Sequence, residues 1–415
     1  MTNTWEEVKL GDVSKMQYGY TASASKEKIG PKFLRITDIV PDIIDWDDVP
    51  FCEINDNDYE KYKLYNGDIL IARTGATAGY AKLIRNFEDA VFASYLIRVR
   101  PKENCYSGFV GRLIESNIFK QFIDKVKGGA AQPQANAPLL KEFSFLLPPL
   151  PTQHKIAGIL SAYDDLIANN TRRIAILEEM AQRIYKEWFV DFKYPGHEND
   201  KMVGSELGKI PEGWEVKKIK EVYDTASGGT PSRKIDENYG GNINWLKTGE
   251  LNDNYIIDTE EKITELGLEN SSVKIFPENT VIMAMYGATI GKLGITSTEI
   301  GTNQACCAFL PKHDTYGFAF IFSHLLQNRS KIIGYSMGAA QQNLSQLLIK
   351  EFSFLIPPVS LVQNFNYLMV QVFNEMQMLL KKNTNLRQTR DLLLPKLISG
   401  KVDVSELDID VGAEA

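Results

Sequence analysis

The sequence spells KEFSFLLPPLP at residues 141–151 and KEFSFLIPP at residues 350–358. The first residues of the two phrases, Lys141 and Lys350, lie 209 positions apart, which is about half of the 415-residue chain. Further matches at a similar spacing would indicate a duplicated chain rather than a proline turn used twice by chance. Such matches occur: WEEVKLGDV (5–13) with WEVKKIKEV (214–222), FLRITDI (33–39) with WLKTGEL (245–251), and GATAG (75–79) with GATIG (287–291). We therefore predict two copies of one domain.

Composition and charge set the outer limits of the interpretation. A chain of this length predicts two domains with connectors. The formal net charge of -7 argues against a protein that coats nucleic acid by bulk charge, so DNA binding would need local basic patches or a partner. The four cysteines show no CxxC spacing, so neither a disulfide framework nor a metal site is predicted. The first residues, MTNTWEEVKL, lack the layout of a signal peptide, and a cytoplasmic location is expected.

Each copy has the same internal order. Short apolar segments separated by glycine, asparagine and proline predict strands. Amphipathic stretches at 107–126 and 316–333 predict helices at the rim of a small mixed sheet. The double prolines that follow each KEFSFL strand predict an extended connection, because proline does not fit inside a helix.

Beyond each double proline, apolar residues recur at alternating spacings of three and four, which is the pattern of a coiled-coil seam. Two long helices are predicted, and a helix of about 35 residues would be ~50 Å long, more than the core of a small domain requires. We therefore expect the helices to pair with each other. The predicted seam residues are Leu160, Ile167, Asn170, Ile174, Leu177, Ile184 and Trp188 in the first helix, and Phe365, Met369, Met376, Leu379, Asn383, Leu386 and Leu393 in the second.

One asparagine interrupts each seam, and buried asparagines in coiled coils prefer to pair. An antiparallel arrangement that places Asn170 opposite Asn383 also places Trp188 opposite Phe365 and Leu160 opposite Leu393. A shift by one heptad would align apolar positions equally well, so the asparagines alone select this register.

The predicted fold class is α+β: two tandem mixed α/β domains, related by a pseudo-two-fold axis and separated by a long antiparallel two-helix coiled coil. The predicted boundaries are 1–150 for the first mixed domain, 151–195 for the central helix, 196–358 for the second mixed domain, and 359–415 for the last helix and tail.

Three stretches carry a family resemblance: FSFLLPPLPTQHKIAGILSAYDDLI (143–167), RIYKEWFVDF (183–192) and LRQTRDLLLPKLISGKVDV (386–404). They closely resemble the specificity (HsdS) subunit of type I restriction-modification enzymes, and the resemblance covers essentially the whole chain. It implies that each mixed domain is a target-recognition domain, which reads one half of a bipartite target in double-stranded DNA. It also implies that the conserved helices set the gap between the half-sites and dock two methyltransferase (modification) subunits.

The resemblance further implies that this chain is not an enzyme. Adenine-N6 methylation, its cofactor S-adenosylmethionine and any DNA cleavage by restriction or translocase subunits would then belong to the partners. Neither a glycine-rich cofactor loop nor an Asn-Pro-Pro-aromatic motif occurs in the sequence. GATIGK (287–292) departs from the phosphate-binding loop, which needs an earlier glycine and a hydroxyl residue after the lysine. The alternative is a non-catalytic scaffold of the same ancestry that does not read DNA specifically.

We predict that the residues that contact DNA are polar side chains close to glycine turns. Arginine and lysine can hydrogen-bond to guanine, and asparagine and glutamine can hydrogen-bond to adenine. Structural turns and polar loop caps remain alternatives for these segments, and for RITD (35–38) and KTGE (247–250) the alternative is a loop in which the cation pairs with the neighbouring acid. The candidates in the first copy are Thr21, Arg35, Thr37, Arg73, Thr74, Thr77, Tyr80, Gln132 and Gln134. Those in the second copy are Thr230, Ser232, Arg233, Lys247, Thr248, Tyr286, Thr289, Lys292, Gln341, Gln342 and Asn343. Since the copies differ at these positions, two different half-sites are expected.

Overall fold

The computed structural model describes residues 5–41, 44–85, 88–127, 135–334 and 343–409. Its contacts divide the chain into two compact units. Unit 1 comprises Met1–Ala168 and Asn385–Ala415, and unit 2 comprises Asn169–Thr384. The division passes through both long helices, so each unit holds one mixed α/β body and a part of each helix. None of the described helices combines the length and the apolar character needed to cross a membrane.

The mixed body of unit 1 is built on a four-stranded antiparallel sheet in the order β2-β7-β4-β5. Strands β3 and β6 pair in parallel beside it, and β1 pairs with β8 antiparallel. The strands are β1 (Glu6–Lys9), β2 (Ser14–Tyr18), β3 (Lys32–Leu34), β4 (Ile69–Ala72), β5 (Ala81–Leu83), β6 (Ala90–Phe92), β7 (Leu96–Pro101) and β8 (Ser144–Leu147). The helices are α1 (Leu10–Val13), α2 (Ile36–Ile39), α3 (Asp56–Tyr62), α4 (Ser107–Glu115), α5 (Asn117–Lys127), α6 (Ala137–Lys141) and the first part of α7 (Leu150–Phe189).

Unit 2 repeats this plan with additional strands. Its five-stranded sheet has the order β12-β20-β17-β18-β14, and a four-stranded sheet has the order β15-β13-β19-β16. The strands are β9 (Met202–Ser205), β10 (Gly208–Pro211), β11 (Glu215–Lys218), β12 (Tyr223–Ala226), β13 (Tyr239–Leu246), β14 (Asn254–Ile256), β15 (Glu261–Ile263), β16 (Ile275–Phe276), β17 (Val281–Ala284), β18 (Leu293–Thr296), β19 (Ile300–Thr302), β20 (Cys306–Pro311) and β21 (Ser353–Ile356). The helices are α8 (Ile219–Val222), α9 (Glu265–Glu269), α10 (Phe318–Gln327), α11 (Arg329–Gly334), α12 (Gln346–Glu351) and part of α13 (Val359–Ile398).

The repeated KEFSFL phrase forms the last strand of each mixed body. In unit 1, β8 pairs antiparallel with β1, and Glu6 lies opposite Leu147. In unit 2, β21 pairs with β11 in the same way, and Glu215 lies opposite Ile356. Both positions are displaced by the same 209 residues, so the duplication predicted from the sequence is confirmed down to the pairing register.

The double prolines lie between these strands and the long helices, as predicted. The carbonyl of Pro149 accepts hydrogen bonds from the amides of Thr152 (2.9 Å) and Gln153 (3.0 Å). The carbonyl of Pro358 accepts from Leu361 (2.9 Å) and Val362 (3.2 Å) in the second copy. Each proline pair therefore ends a strand and supplies the first acceptor of the helix that follows.

Two details differ from the predictions. Each amphipathic stretch forms two short helices instead of one: α4 and α5 separate at Ser116, and α10 and α11 separate at Asn328. The side chain of Ser116 donates to the carbonyl of Leu113 (2.6 Å), a local bond that competes with helix continuation. The long helices are also longer than expected, because α7 and α13 each contain 40 residues.

The two long helices pair antiparallel within each unit. In unit 2, the side-chain amide of Asn170 donates to the Asn383 oxygen (2.8 Å), and the ring centroids of Trp188 and Phe365 are 5.9 Å apart. In unit 1, Leu160 lies in the same apolar cluster as Leu393. These contacts confirm the register chosen from the two asparagines.

The asparagine pair gives a testable stability difference. Replacing Asn170 with alanine is expected to cost about 1–3 kcal/mol of folding free energy, because the buried Asn383 loses its donor. Replacing both asparagines with leucine is expected to be nearly neutral or stabilising, since both members of the buried amide pair are then replaced by apolar side chains. Chemical denaturation of the single and double variants measures both values. Asn169→Ala, which changes an exposed neighbour, is the control, and equal losses for the two alanine variants would contradict the pairing.

Candidate nucleic-acid interface

Four chain segments of unit 1 meet where β2, β3, β4 and β6 end. We call residues 18–21, 35–38, 73–80 and 93–95 the loop edge of unit 1. The strand register brings them together, because Tyr18 at the end of β2 lies opposite Ile97 of β7, and Ala72 at the end of β4 lies opposite Leu96. The edge therefore collects residues that are up to 77 positions apart in the sequence.

The corresponding segments of unit 2 form its loop edge, which comprises residues 226–233, 247–250, 285–292 and 303–305. Here Ala226 ends β12 opposite Ala308 of β20, and Ala284 ends β17 opposite Cys306. The GATAG and GATIG stretches of the two edges are turns, as the sequence suggested. Gly75 and Gly287 begin these turns with φ values of +79° and +86°, a backbone region that favours glycine.

The backbones of the two loop edges are held by equivalent hydrogen bonds. Four amide-to-carbonyl bonds of unit 1 recur in unit 2 with lengths that differ by 0.1 Å at most. The same scaffold therefore presents two different sets of side chains. The equivalent bonds are Tyr20 to Phe92 and Gly229 to Thr302, Ala93 to Leu34 and Asn303 to Leu246, Arg73 to Tyr95 and Met285 to Ala305, and Ala135 to Arg73 and Leu344 to Met285.

Arginine and tyrosine side chains dominate the loop edge of unit 1. The guanidinium carbon of Arg73 lies 4.9 Å from the ring centroid of Tyr18, and its Nη1 donates to the carbonyl of Ser94 (3.4 Å). Tyr95 is 61% exposed, and Tyr80 is also exposed. This edge therefore presents a cation packed against an aromatic ring, together with further solvent-exposed aromatic rings.

Neutral polar side chains dominate the loop edge of unit 2 and converge on Gln304. The Thr230 hydroxyl donates to Gln304 Oε1 (2.6 Å), and the Tyr286 hydroxyl donates to the Gln304 carbonyl (3.0 Å). Gln304 is itself exposed. Its side-chain oxygen accepts from Thr230, and the same exposed side chain carries two amide N–H donors.

Several predicted cations are engaged by carboxylates of the same unit. Arg35 binds Asp38 through Nε (3.0 Å) and Nη2 (2.8 Å), and Asp38 also accepts from the Arg35 amide (2.7 Å). Arg233 and Lys247 both bind Glu261, at 2.6 and 2.9 Å. Hydrogen bonds from these two cations lower the pKa of Glu261. The charge of Arg35 is therefore balanced by Asp38, and Arg233 and Lys247 share the charge of Glu261.

The structure brings most of the predicted contact residues together at the two loop edges. Unit 1 gathers Thr21, Arg35, Thr37, Arg73, Thr74, Thr77 and Tyr80. Unit 2 gathers Thr230, Ser232, Arg233, Lys247, Thr248, Tyr286, Thr289 and Lys292. Asn343 is exposed one position before Leu344, which is bonded to Met285. The predicted Gln132, Gln134, Gln341 and Gln342 lie outside the described residues.

Sequence reasoning missed three residues of these edges. Tyr18 and Tyr95 border Arg73, and Gln304 lies between Thr230 and Tyr286. Tyr95 and Gln304 belong to segments that the sequence identified only as strand, whereas Tyr18 begins a predicted loop stretch (18–26) from which only Thr21 was selected. A comparison of the two copies offers a signal, because Tyr95 corresponds to Ala305 and Ser94 to Gln304 through their matching backbone bonds. A position that differs strongly between otherwise matching strand ends is a candidate for specificity.

Burial shifts the pKa values of three cysteines and one histidine among the described residues. Burial raises the pKa of Cys52 to about 11 and the pKa values of Cys306 and Cys307 to about 12, so these cysteines are thiols. Burial lowers the pKa of His324 to about 3, and its Nδ1 is hydrogen-bonded to the Tyr185 hydroxyl (2.9 Å). Across the described ranges, no three His, Cys, Asp or Glu side chains are grouped as metal ligands.

Comparison with known proteins gives consistent matches along the chain. A family model described as "Type I restriction modification DNA specificity domain" matches residues 2–179 and 211–385. The type I restriction enzyme MjaIX specificity subunit of Methanocaldococcus jannaschii is 27% identical over 419 residues, which cover 97% of this chain and 94% of that protein. The HindI specificity subunit of Haemophilus influenzae is 24% identical over 472 residues, which cover 96% of this chain and 99% of the relative.

A solved structure supports the fold independently. The S subunit of a type I restriction-modification system from M. genitalium superposes with a TM-score of 0.61 at 14% identity. The match covers 96% of each chain. The duplicated mixed α/β plan with long helices is therefore shared by the two chains.

Proposed function

Since this chain belongs to the type I restriction modification DNA specificity family, we propose that its two loop edges read the two halves of a split DNA target. The family membership and the relatives identify a DNA sequence-specificity subunit. The assignment of one half-site to each loop edge is our inference.

One observation carries this proposal: equivalent backbone scaffolds present different side chains. Bonds such as Arg73 to Tyr95 and Met285 to Ala305 place the two sets of loops in the same way. A scaffold that is constant while its exposed groups change is suited to reading two different sequences. By contrast, a scaffold without DNA specificity has no requirement for the exposed polar groups at both edges.

The chemistry of unit 1 suits contact with guanine and with unstacked or flexible base steps. Arginine can donate two hydrogen bonds to the O6 and N7 of guanine, and Tyr18 holds the Arg73 guanidinium by stacking under it. The exposed ring of Tyr95 offers a planar surface beside it. We assign Arg73 as the principal base-contacting cation of the first half-site.

The chemistry of unit 2 suits acceptors on base edges. The exposed side-chain amide of Gln304 can donate to N7 of a purine in the major groove. Thr230 binds the Gln304 side chain and so reduces the rotamer freedom that binding would otherwise remove, while Tyr286 anchors the Gln304 backbone carbonyl. The second half-site is thus read mainly by neutral donors.

The long helices are proposed to set the gap between the half-sites and to dock two methyltransferase subunits. Apolar side chains on their outer surfaces support docking, since large exposed apolar groups commonly mark protein contacts. In unit 2 these are Ile176, Met180, Tyr367, Leu368 and Met378, and in unit 1 they are Leu166 and Leu392. Adenine-N6 methylation, the binding of S-adenosylmethionine and any cleavage are proposed to belong to the partners. The partners would also supply most phosphate contacts, which reconciles DNA binding with the net charge of -7.

Genome-wide methylation mapping tests the proposal. A host that expresses this chain with its modification subunit should carry a bipartite methylated motif, and a host lacking only this chain should not. Arg73→Ala is expected to lower the affinity for the first half-site, or the discrimination between bases within it, by about tenfold, because one good base contact is worth about 1–3 kcal/mol. The second half-site should stay unchanged.

Lys15→Ala is the matched control. Lys15 is an exposed cation at the opposite end of β2 from Tyr18, so this variant removes the same charge away from the loop edge. If the assembled complex showed no motif that depends on this chain, the scaffold alternative would replace sequence reading. A change of both half-sites by Arg73→Ala would reject the assignment of one edge to each half.

A further inference from the structure

Asp253 occupies an unusual backbone position beside the loop edge of unit 2. It directly precedes β14 and has a φ of +69°, which is uncommon for a residue other than glycine. Its amide donates to the carbonyl of Leu293 (2.8 Å), the first residue of β18. The conformation is therefore held by the strand that begins where the GATIG loop ends.

The Asp253 carboxylate collects three donors from two separate segments. It accepts from Lys292 Nζ (2.7 Å) and from the Leu293 amide (3.0 Å), and Arg329 Nη2 binds the same carboxylate. Burial opposes the ionisation of this group, but these hydrogen bonds outweigh burial and hold the pKa of Asp253 below its ordinary value. At neutral pH the carboxylate is charged and balances one of the two cations that touch it.

These donors join the GATIG loop to α11. Lys292 is the last residue of the loop, and Arg329 is the first residue of α11. Gly291 lies directly under that helix, since a Cβ at this position would be 2.8 Å from Ile333 Cδ1 and 3.2 Å from Arg329 Cγ. The loop end thus has one fixed position, set by close packing on one side and by the carboxylate on the other.

Unit 1 fixes the same loop position by different means. Tyr80 stands where unit 2 has Lys292, and Lys120 Nζ of α5 lies 5.0 Å from the centroid of the Tyr80 ring. In both units an interaction therefore connects the end of the glycine turn to the second short helix. The two interactions differ in chemistry, which indicates that the connection itself matters to both loops.

We propose that Asp253 is a positioning residue for DNA recognition by unit 2, and that Lys292 acts through Asp253 instead of contacting DNA. This inference rests on the proposed function, because it assigns a role within the second recognition edge. The ion pair turns the Lys292 ammonium towards Asp253, which Lys292 shares with Arg329. The pair holds the turn in position, and Tyr286 and Thr289 on this turn reach the DNA.

Methylation mapping of four complexes tests this inference: the wild type, Asp253→Asn, Lys292→Gln and the double variant. Asparagine keeps the shape of the side chain and an acceptor for the Leu293 amide but loses the charge. Discrimination against mismatches in the second half-site is expected to fall about tenfold in each single variant, in the range typical of one base pair. The double variant should lose no more than either single variant, since both changes break one interaction. The first half-site, read by the same molecules, should be unchanged.

Glu215→Gln serves as the control, because Glu215 is an exposed carboxylate that binds Lys217 on β11. A wild-type motif in both single variants would overturn the inference while leaving the proposed function intact. Additive losses in the double variant would overturn it as well, since Lys292 would then contact DNA independently. If the wild type itself produced no motif, the proposed function would fail first. Loss of both half-sites in Asp253→Asn would indicate misfolding. Lys292→Gln, which leaves Asp253 bound to Arg329, would then test the inference alone: weaker discrimination at the second half-site would support it, and a wild-type motif would overturn it.

Discussion

Replacing Phe365 with alanine is expected to destabilise unit 2 by about 3–5 kcal/mol, the usual cost of removing a fully buried aromatic ring. Phe365 is 0% exposed and lies where α13 meets α7 and α10. Its ring centroid is 4.9 Å from that of Phe189 and 5.9 Å from those of Tyr185 and Trp188. Three helices therefore lose a common contact when the ring is removed, and the cavity cannot close without moving one of them.

Chemical denaturation monitored by tryptophan fluorescence measures this loss, because Trp188 and Trp214 lie in the same aromatic cluster. Tyr367→Ala is the matched control: it removes an aromatic ring from the same helix at a position that is 80% exposed. The control should change the free energy of unfolding by less than about 0.5 kcal/mol. Similar losses in the two variants would show that the Phe365 cluster is not a core.

Acidification is expected to destabilise the protein through His324. Its pKa in the folded state is about 3 because of burial, whereas an unfolded histidine titrates near 6.5. A histidine whose folded pKa is lowered binds protons only in the unfolded chain as the pH falls below 6.5. The stability attributable to His324 therefore falls between pH 6.5 and pH 3, by about 2 kcal/mol at pH 5.

Comparison of the wild type with His324→Gln isolates this effect. A glutamine side chain can either donate to or accept from the Tyr185 hydroxyl, so the variant removes the titration with little change in polarity. The difference in unfolding free energy between pH 7 and pH 5 should be about 2 kcal/mol smaller in the variant. His313→Gln changes an exposed histidine and should leave the difference as in the wild type. An unchanged difference in His324→Gln would show that His324 does not carry the pH dependence.

Repeated and periodic patterns accounted for the architecture in advance. The two KEFSFL phrases located the ends of both mixed bodies, and the heptads located α7 and α13. Asn170 and Asn383 selected one register among several, and their hydrogen bond confirms it. Such features are predictable because helix periodicity and a polar group in an apolar seam act locally, before any tertiary contact is known.

The composition of the two loop edges was only partly predictable. Arg73, Thr230 and Tyr286 were chosen as polar residues near turns, but their neighbours Tyr95 and Gln304 were not. These neighbours are at least 18 positions away along the chain, and only strand pairing brings them close. Sequence periodicity does not indicate which strand ends lie at the same edge of a sheet.

The sequence alone determined that the chain is duplicated, that each copy ends in a strand followed by a long helix, and that the helices pair antiparallel through two asparagines. Tertiary structure alone decided which side chains the loop edges present and which cations remain available to a ligand. Asp253 and Lys292 illustrate the reason. They are 39 residues apart, and their ion pair exists because β14 lies beside β18. Local patterns follow from spacing along the chain, whereas a site follows from the strand order that folds distant residues together.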